Sequence, residues 1–281
     1  MNPVDTAAVA VGEYTFDVEI AGPPDGTPVV LLHGFPETSH CWHPVLPALT
    51  AAGYRTIAPN QRGYSPGARP VGVEHYTVDR LVDDVLGLLD TLGIESAHLV
   101  GHDWGAAVAW STAAHHPDRI DTLTAVSVPH PAAFGWALRE DADQQARSRY
   151  IGVFRQGDSA ERILLADDGR RLREVYAGVD ASLVDAHVGL LTQPGALTAA
   201  LSWYRAMGRG FASTPAVSVP TTYVWSTGDE ALGRAGAERC GEFVTGPYRF
   251  LELDGVSHWV PEQAPAVLAD AIIDRVEGTR P

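Results

Sequence analysis

The chain of 281 residues lacks the features that mark membrane proteins and disulfide-stabilised proteins. Its two cysteines, Cys41 and Cys240, form no C-x-x-C or metal-ligand spacing, which excludes a disulfide framework. No apolar run approaches about 18 residues, and no basic segment precedes an apolar stretch at the start of the chain. The sequence therefore predicts neither a transmembrane helix nor a signal peptide, and we expect a cytoplasmic protein.

Positive charge is also scarce. The 20 Lys and Arg residues are outnumbered by 35 Asp and Glu residues, which gives a formal net charge of −15. Such a charge opposes binding to a phosphate backbone or an anionic membrane, so we expect no nucleic-acid or membrane partner. The chain has no G-x-x-x-x-G-K-[ST] loop and no G-x-G-x-x-G after a strand, so no nucleotide cofactor is expected. The oligomeric state, monomer or homodimer, stays open.

Short apolar segments recur along the chain and predict buried strands, separated by segments of helical spacing such as 42–52 and 261–276. The strand segments are 29–32, 54–58, 97–101, 120–128, 221–225 and 248–253, with an antiparallel pair over 8–20. Parallel neighbours need crossover helices, so this alternation predicts an α/β fold with a mostly parallel central sheet and helices on both faces. Residues 130–213 are helical in pattern and predict an insertion. We therefore expect a core over 1–129 and 214–281, with a helical cap over 130–213.

A reactive carboxylate is predicted where the strand ending at Val100 continues into Gly101-His102-Asp103-Trp104-Gly105 and then a helix. This pattern is typical of the G-x-nucleophile-x-G elbow, with Asp in the place of Ser. The glycines suit a strained strand-to-helix turn that side chains would crowd. The alternative is an Asp that only caps the helix.

A second strand, ending at Leu32, leads into His33-Gly34-Phe35-Pro36-Glu37. A Gly and a proline-fixed turn at this place can aim the Phe35 N–H inward, so Phe35 and Trp104 are predicted to form a two-donor oxyanion hole. The Phe35-Pro36 bond is a candidate for a cis peptide.

An acid and a histidine follow the nucleophile in the chain order expected for a catalytic triad. Asp229 comes after the strand ending at Trp225, and His258 comes after the strand ending at Leu253. Glu230 is the alternative to Asp229 as the acid. His40, Cys41 and His43 lack a second pair of metal ligands in the sequence, so no metal site is predicted.

The segments HGFPE, GHDWGA, TGDEA and the SHW near the end resemble the epoxide hydrolases of the α/β-hydrolase superfamily over nearly the whole chain. The resemblance implies the α/β-hydrolase fold with a cap, or lid, that carries two tyrosines. Tyr204 matches one of them within Ser202-Trp203-Tyr204-Arg205, where Ser replaces the family Asn, and Tyr150 matches the other only loosely within 149–156. We expect the substrate pocket to be lined by His33, Pro36, Trp136 and Trp203.

The implied reaction converts a small neutral epoxide and water into a vicinal diol without a cofactor. Asp103 would form a covalent alkyl ester, and water activated by His258 and Asp229 would hydrolyse it.

Haloalkane dehalogenation is the alternative that uses the same Asp-His-Asp triad. It needs N–H donors around a departing halide, and Trp104 could supply one of them. Dehalogenases often have Asn where this chain has Phe35, and the fluoroacetate type has Arg where it has Trp104. A catalytically silent binding protein on this fold is the third possibility.

Overall fold

The computed structural model describes residues 4–278, apart from the side chains of residues 209 and 210. Eight strands form one sheet: β1 Asp5–Val11, β2 Tyr14–Ala21, β3 Thr27–Leu32, β4 Tyr54–Pro59, β5 Ala97–His102, β6 Ile120–Val126, β7 Thr221–Ser226 and β8 Tyr248–Leu253. Their order in the sheet is β1-β2-β4-β3-β5-β6-β7-β8. The β1-β2 and β2-β4 pairs are antiparallel and the other pairs are parallel, which confirms the mostly parallel sheet with an antiparallel edge.

Thirteen helices occur in the described residues, and none of them is long and apolar enough to cross a membrane. They are α1 Leu46–Ala51, α2 Val78–Thr91, α3 Trp104–His115, α4 Pro131–Glu140, α5 Ala142–Arg147, α6 Arg149–Phe154, α7 Ser159–Leu164, α8 Ala166–Glu174, α9 Ala181–Leu191, α10 Ala196–Ala206, α11 Arg234–Glu238, α12 Val260–Gln263 and α13 Pro265–Glu277. Shorter 3₁₀ helices cover Ser39–Trp42, Pro66–Ala68, Val73–Tyr76, Arg209–Ser213 and Cys240–Phe243.

Two predicted helices are broken by prolines. The segment expected to be one helix over 42–52 is a 3₁₀ turn followed by α1, which begins at Leu46 and has Pro47 in its first turn. The segment expected to be one helix over 261–276 divides into α12 and α13 at Pro265. Proline lacks an amide hydrogen and crowds the preceding turn, so it fits the start of a helix and not its interior.

The core lies on both faces of the sheet, and the central strands β5 and β7 are buried at every position. Along β3, Val29 and Leu31 belong to a cluster with Trp42, while Val30 and Leu32 belong to a second cluster. Alternate residues of a strand point to opposite faces, so a strand buried on both faces has a continuous apolar run. This is the reason that the strands could be predicted from short hydrophobic segments.

The carboxyl ends of the adjacent parallel strands β3, β5, β6, β7 and β8 meet at one edge of the sheet. Helices α4 to α10 and one 3₁₀ helix are inserted between β6 and β7, where the sequence predicts the cap. The division into core and cap segments stays a prediction, and its outer limits at residues 1 and 281 lie outside the described residues.

Candidate active site

Asp103 lies at the turn between β5 and α3 in a backbone conformation that few non-glycine residues adopt, with φ of 50° and ψ of −120°. The flanking glycines make this turn possible. A Cβ on Gly101 would overlap the carbonyl of Gly105, and a Cβ on Gly105 would overlap the carbonyl of Leu32. Asp103 is the residue before α3, but its side chain makes no capping hydrogen bond to the helix. Its carboxylate is thus available for contacts across the sheet edge.

The turn after β3 supplies one of these contacts. The Phe35 N–H donates to Asp103 Oδ1 at 2.8 Å. Gly34 permits the close approach, because a Cβ at that position would overlap the Cβ of Asp103. The Phe35-Pro36 peptide bond is cis, as the sequence indicates. Trp104 is the first residue of α3, and the role of its N–H as the second donor stays a prediction.

Asp103, His258 and Asp229 form a row at this edge. His258 Nε2 lies 3.5 Å from Asp103 Oδ2, and His258 Nδ1 donates to Asp229 Oδ2 at 2.9 Å. The other oxygen of Asp229 accepts hydrogen bonds from the N–H groups of Ala231 and Leu232 at 2.8 and 2.9 Å. Glu230, the alternative acid, does not contact the imidazole in this way and lines a cavity above it. The structure therefore brings together the three residues that the sequence selects.

The charges in this row shift the pKa values of two of its members. Burial alone would lower the pKa of His258, but attraction to Asp229 and hydrogen bonds to both carboxylates raise it well above its usual range. Burial disfavours the charge of Asp229, yet His258 and the two backbone N–H groups lower the pKa of this carboxyl. The imidazole is therefore protonated when both carboxylates are charged.

A mutation of Asp103 tests the source of this shift. We expect Asp103→Asn to lower the pKa of His258, because one of the two charges that stabilise the imidazolium is lost. An NMR titration of ¹⁵N-labelled histidine measures the change. Asp254→Asn, which alters a carboxylate bound to Thr227 at the surface, is the control and should leave this pKa unchanged. An unchanged pKa in Asp103→Asn would contradict the assigned cause.

Two tyrosines from the inserted helices stand over the row. Tyr150 on α6 and Tyr204 on α10 have ring centroids 6.1 Å apart, and the Phe154 ring contacts both. Burial and the nearby charge of Asp103 raise the pKa of both phenols, although a hydrogen bond with Trp104 opposes this for Tyr204. Both phenols are therefore protonated at neutral pH and available as hydrogen-bond donors.

The tyrosines and Asp103 line a cavity of about 390 Å³. The rest of its wall is mainly apolar and includes two charged side chains besides His258: Phe35, Pro36, Phe154, Val175, Ala177, Ala231, Trp259, Ser257, His258, Arg147 and Glu230. A small recess of about 30 Å³ lies on another side of Asp103 and contains Phe134, Ile151 and Phe211. Such a site suits a small, largely apolar molecule whose polar atom meets the phenols.

Of the four predicted pocket residues, Pro36 lines the cavity and three lie elsewhere. His33 is fully buried, its Nε2 accepts a hydrogen bond from the Gln61 N–H, and burial lowers its pKa to about 4. Trp203 donates from its indole to the carbonyl of Arg62. These two side chains therefore support the walls instead of facing the substrate.

Trp136 is the third correction. It lies on α4 with the Arg239 guanidinium 4.1 Å above its ring, whereas Phe134 of the same helix reaches the recess beside Asp103. Successive helical residues are about 100° apart, so residues two apart point in nearly opposite directions. The apolar pattern of the sequence alone did not indicate whether Phe134 or Trp136 points toward the site.

Sequence reasoning missed the support behind His258. His102 Nε2 donates to the carbonyl of His258 at 2.9 Å, and His102 Nδ1 lies 2.7 Å from Glu37 Oε2. Burial disfavours the charge of Glu37, but the contact with His102 lowers the pKa of this carboxyl. His102 lies in the motif GHDWGA and Glu37 lies in the motif HGFPE, and this position was the only indication in the sequence that they belong to the site. Their pairing across the fold was not visible in the sequence.

The comparisons with known proteins agree with this architecture. A family model described as alpha/beta hydrolase fold matches residues 27–149. The chain is 35% identical to AB hydrolase superfamily protein YfhM of Bacillus subtilis over 98% of each chain, and 32% identical to Epoxide hydrolase A of Mycobacterium tuberculosis over 92% of each. The crystal structure of Epoxide Hydrolase A from Mycobacterium thermoresistibile superimposes with a TM-score of 0.87 at 31% identity, covering 98% of this chain and 99% of that one.

Proposed function

This chain belongs to the epoxide hydrolases of the α/β-hydrolase superfamily, and from that premise we propose that it adds water to a small epoxide to give a vicinal diol. The observation that carries the proposal is that one mainly apolar cavity is lined by a carboxylate, by a histidine within 3.5 Å of it and by two neighbouring phenols. Such a cavity offers a nucleophile for carbon and acids for oxygen at the same time.

In the first step, Asp103 Oδ2 attacks a ring carbon while Oδ1 stays hydrogen-bonded to the Phe35 N–H. The carbon–oxygen bond of the strained ring breaks, and Tyr204 or Tyr150 transfers a proton to the departing oxygen. The product is an alkyl ester of Asp103 that carries a free hydroxyl group. General acid assistance of this kind contributes about 10²- to 10⁴-fold to the rate.

Formation of the ester removes the negative charge of Asp103, and with it one cause of the raised pKa of His258. The imidazolium then loses its proton, and the tyrosinate left by ring opening takes one up, so that the tyrosine is restored. Neutral His258, oriented by Asp229, takes a proton from water, and the hydroxide adds to the ester carbonyl. The Phe35 N–H stabilises the resulting oxyanion, and a donor of this type contributes about 2.7 to 4 kcal/mol. Collapse of the intermediate breaks the ester bond, and the imidazolium of His258 protonates the departing alkoxide to release the diol. The proton left on the Asp103 carboxyl group returns to His258, which restores the starting state.

Haloalkane dehalogenation is less well supported by the same cavity. A departing halide needs N–H donors, yet the Trp104 indole is engaged with the Tyr204 phenol. Phe35 has an apolar ring that packs on Tyr204, 5.3 Å between centroids, and it brings no side-chain donor. The phenols are better suited to an epoxide oxygen.

One assay separates the two reactions. The purified protein is incubated with styrene oxide and, in a parallel reaction, with 1-bromobutane, and diol and bromide are quantified. We expect diol from the epoxide and no bromide, and we expect Asp103→Ala to form no diol. Bromide release without diol formation would favour the dehalogenase, and no product from a panel of aryl and alkyl epoxides would overturn the proposal.

A further inference from the structure

A group of three metal-ligating side chains lies on the core, apart from the catalytic row. Glu19 of β2 meets His40, on the 3₁₀ turn Ser39–Trp42, and His43, the residue after that turn. One ligand atom from each of the three lies within 4.8 Å of the others, and the described residues contain no other such group of three. The prediction of no metal site from the sequence considered only His40, Cys41 and His43. Glu19 is distant from them in the sequence, and only the folded chain brings it next to the two histidines.

The distances between these atoms agree with a shared ion. His43 Nε2 lies 3.0 Å from Glu19 Oε2, and His40 Nε2 lies 3.8 Å from Glu19 Oε1. Zinc bound to nitrogen and oxygen at about 2.0 to 2.2 Å in a tetrahedron separates its ligands by roughly 3.4 Å. The observed distances lie on either side of that value, and one ligand atom from each of the three side chains lies within 4.8 Å of the other two.

The surroundings orient the ligands for such a role. His40 Nδ1 lies 3.2 Å from Thr38 Oγ1, which can accept its hydrogen and leave the Nε2 lone pair directed at Glu19. Ligating histidines usually donate their second N–H to an oxygen in this manner. Glu19 has a side chain only 10% exposed, while His40 and His43 are 37% and 35% exposed. The Glu19 carboxylate is thus fixed in place by strand β2, and the two partly exposed imidazoles allow an ion to reach the site from solvent.

We propose that Glu19, His40 and His43 bind a divalent transition metal ion, with Zn²⁺ as the ion that this set of two imidazoles and one carboxylate suits best. Water completes the coordination. The ion joins β2 to the turn that directly follows the loop carrying Phe35, so it stabilises the fold and takes no part in the chemistry at Asp103. The alternative is an ion pair between Glu19 and His43 that holds the turn to the sheet without a metal.

Calorimetric titration of the EDTA-dialysed full chain with ZnCl₂ at pH 7.5 tests the proposal. We expect one saturable step with a stoichiometry of one and, at about 100-fold excess over Kd, an increase in Tm of roughly 5 °C. Glu19→Gln and His40→Asn should abolish this step, and Thr38→Val should weaken it about 10-fold or more. Substitution with Co²⁺ should give the visible absorption bands of a four-coordinate site, which Glu19→Gln removes.

The matched controls are His115→Asn and His116→Asn, which change histidines at the end of α3 and should leave the step intact. Circular dichroism establishes that each variant is folded, and His43→Asn gives an independent test if Glu19→Gln is not. The proposal is overturned if the wild-type protein shows no saturable binding. It is equally overturned if Glu19→Gln and His40→Asn bind Zn²⁺ like the wild type, or if only weak binding is seen and the control substitutions remove it.

Discussion

Replacement of His258 by Gln is expected to stop turnover at a covalent intermediate. Asp103 can still attack the epoxide, because alkylation needs the carboxylate and the phenols and does not need a base. Hydrolysis of the ester does need the base, so we expect steady-state turnover to fall by about 10²- to 10⁴-fold. Intact-protein mass spectrometry after mixing with styrene oxide should show an increase equal to one substrate molecule, located on Asp103 by peptide mapping.

Two variants make that result specific. The double variant Asp103→Asn/His258→Gln should show no added mass, because the nucleophile is lost. His115→Gln introduces the same side chain at an exposed position at the end of α3 and should turn over normally. If the wild type forms diol and His258→Gln gains no mass, the two-step scheme is wrong and direct attack by water becomes the better description.

Replacement of Tyr204 by Phe should slow the other half of the reaction. In the proposed mechanism this phenol, with Tyr150, is an acid for the epoxide oxygen, so ring opening is expected to slow by about 10²- to 10⁴-fold. Ester hydrolysis proceeds at His258 and should change much less. Rapid mixing with monitoring of tryptophan fluorescence separates the two phases, because Trp104 lies 5.1 Å from Tyr204, centroid to centroid.

Tyr150→Phe is expected to slow ring opening in the same direction, and the double variant should lose more than either single one. Tyr14→Phe, a change in β2 away from the cavity, serves as the control and should leave both phases unchanged. Equal slowing of both phases in Tyr204→Phe would contradict an acid role and point to a general distortion of the cavity.

The parts of the fold and site that sequence could predict are those encoded within short segments. The strands β3, β5, β7 and β8 follow from apolar runs, and Phe35 and the three residues of the row stand beyond the ends of these strands. The glycines on either side of Asp103 indicate the strained turn, because a Cβ atom at their positions would overlap neighbouring backbone atoms. A local pattern was therefore enough to select the catalytic row.

What escaped prediction depends on contacts between residues far apart in the chain. His102 contacts the His258 carbonyl, and Glu19 meets His43, through the packing of separate elements. The choice between Phe134 and Trp136 as a wall residue depends on the rotation of α4 about its axis, which packing decides. Helical periodicity gives the angle between two residues and leaves the absolute orientation of the helix undetermined.

In the proposed mechanism, the insertion between β6 and β7 and the edge of the sheet supply different groups to the reaction. Its helices α6 and α10 contribute Tyr150 and Tyr204, whereas the carboxylate, the base and their partner all come from loops at the sheet edge. An insertion in the connection between two strands tolerates changes in length and sequence more readily than the strands that it connects. Under the proposed mechanism, variation of the insertion would therefore change which epoxides are accepted and leave the residues that hydrolyse the ester in place.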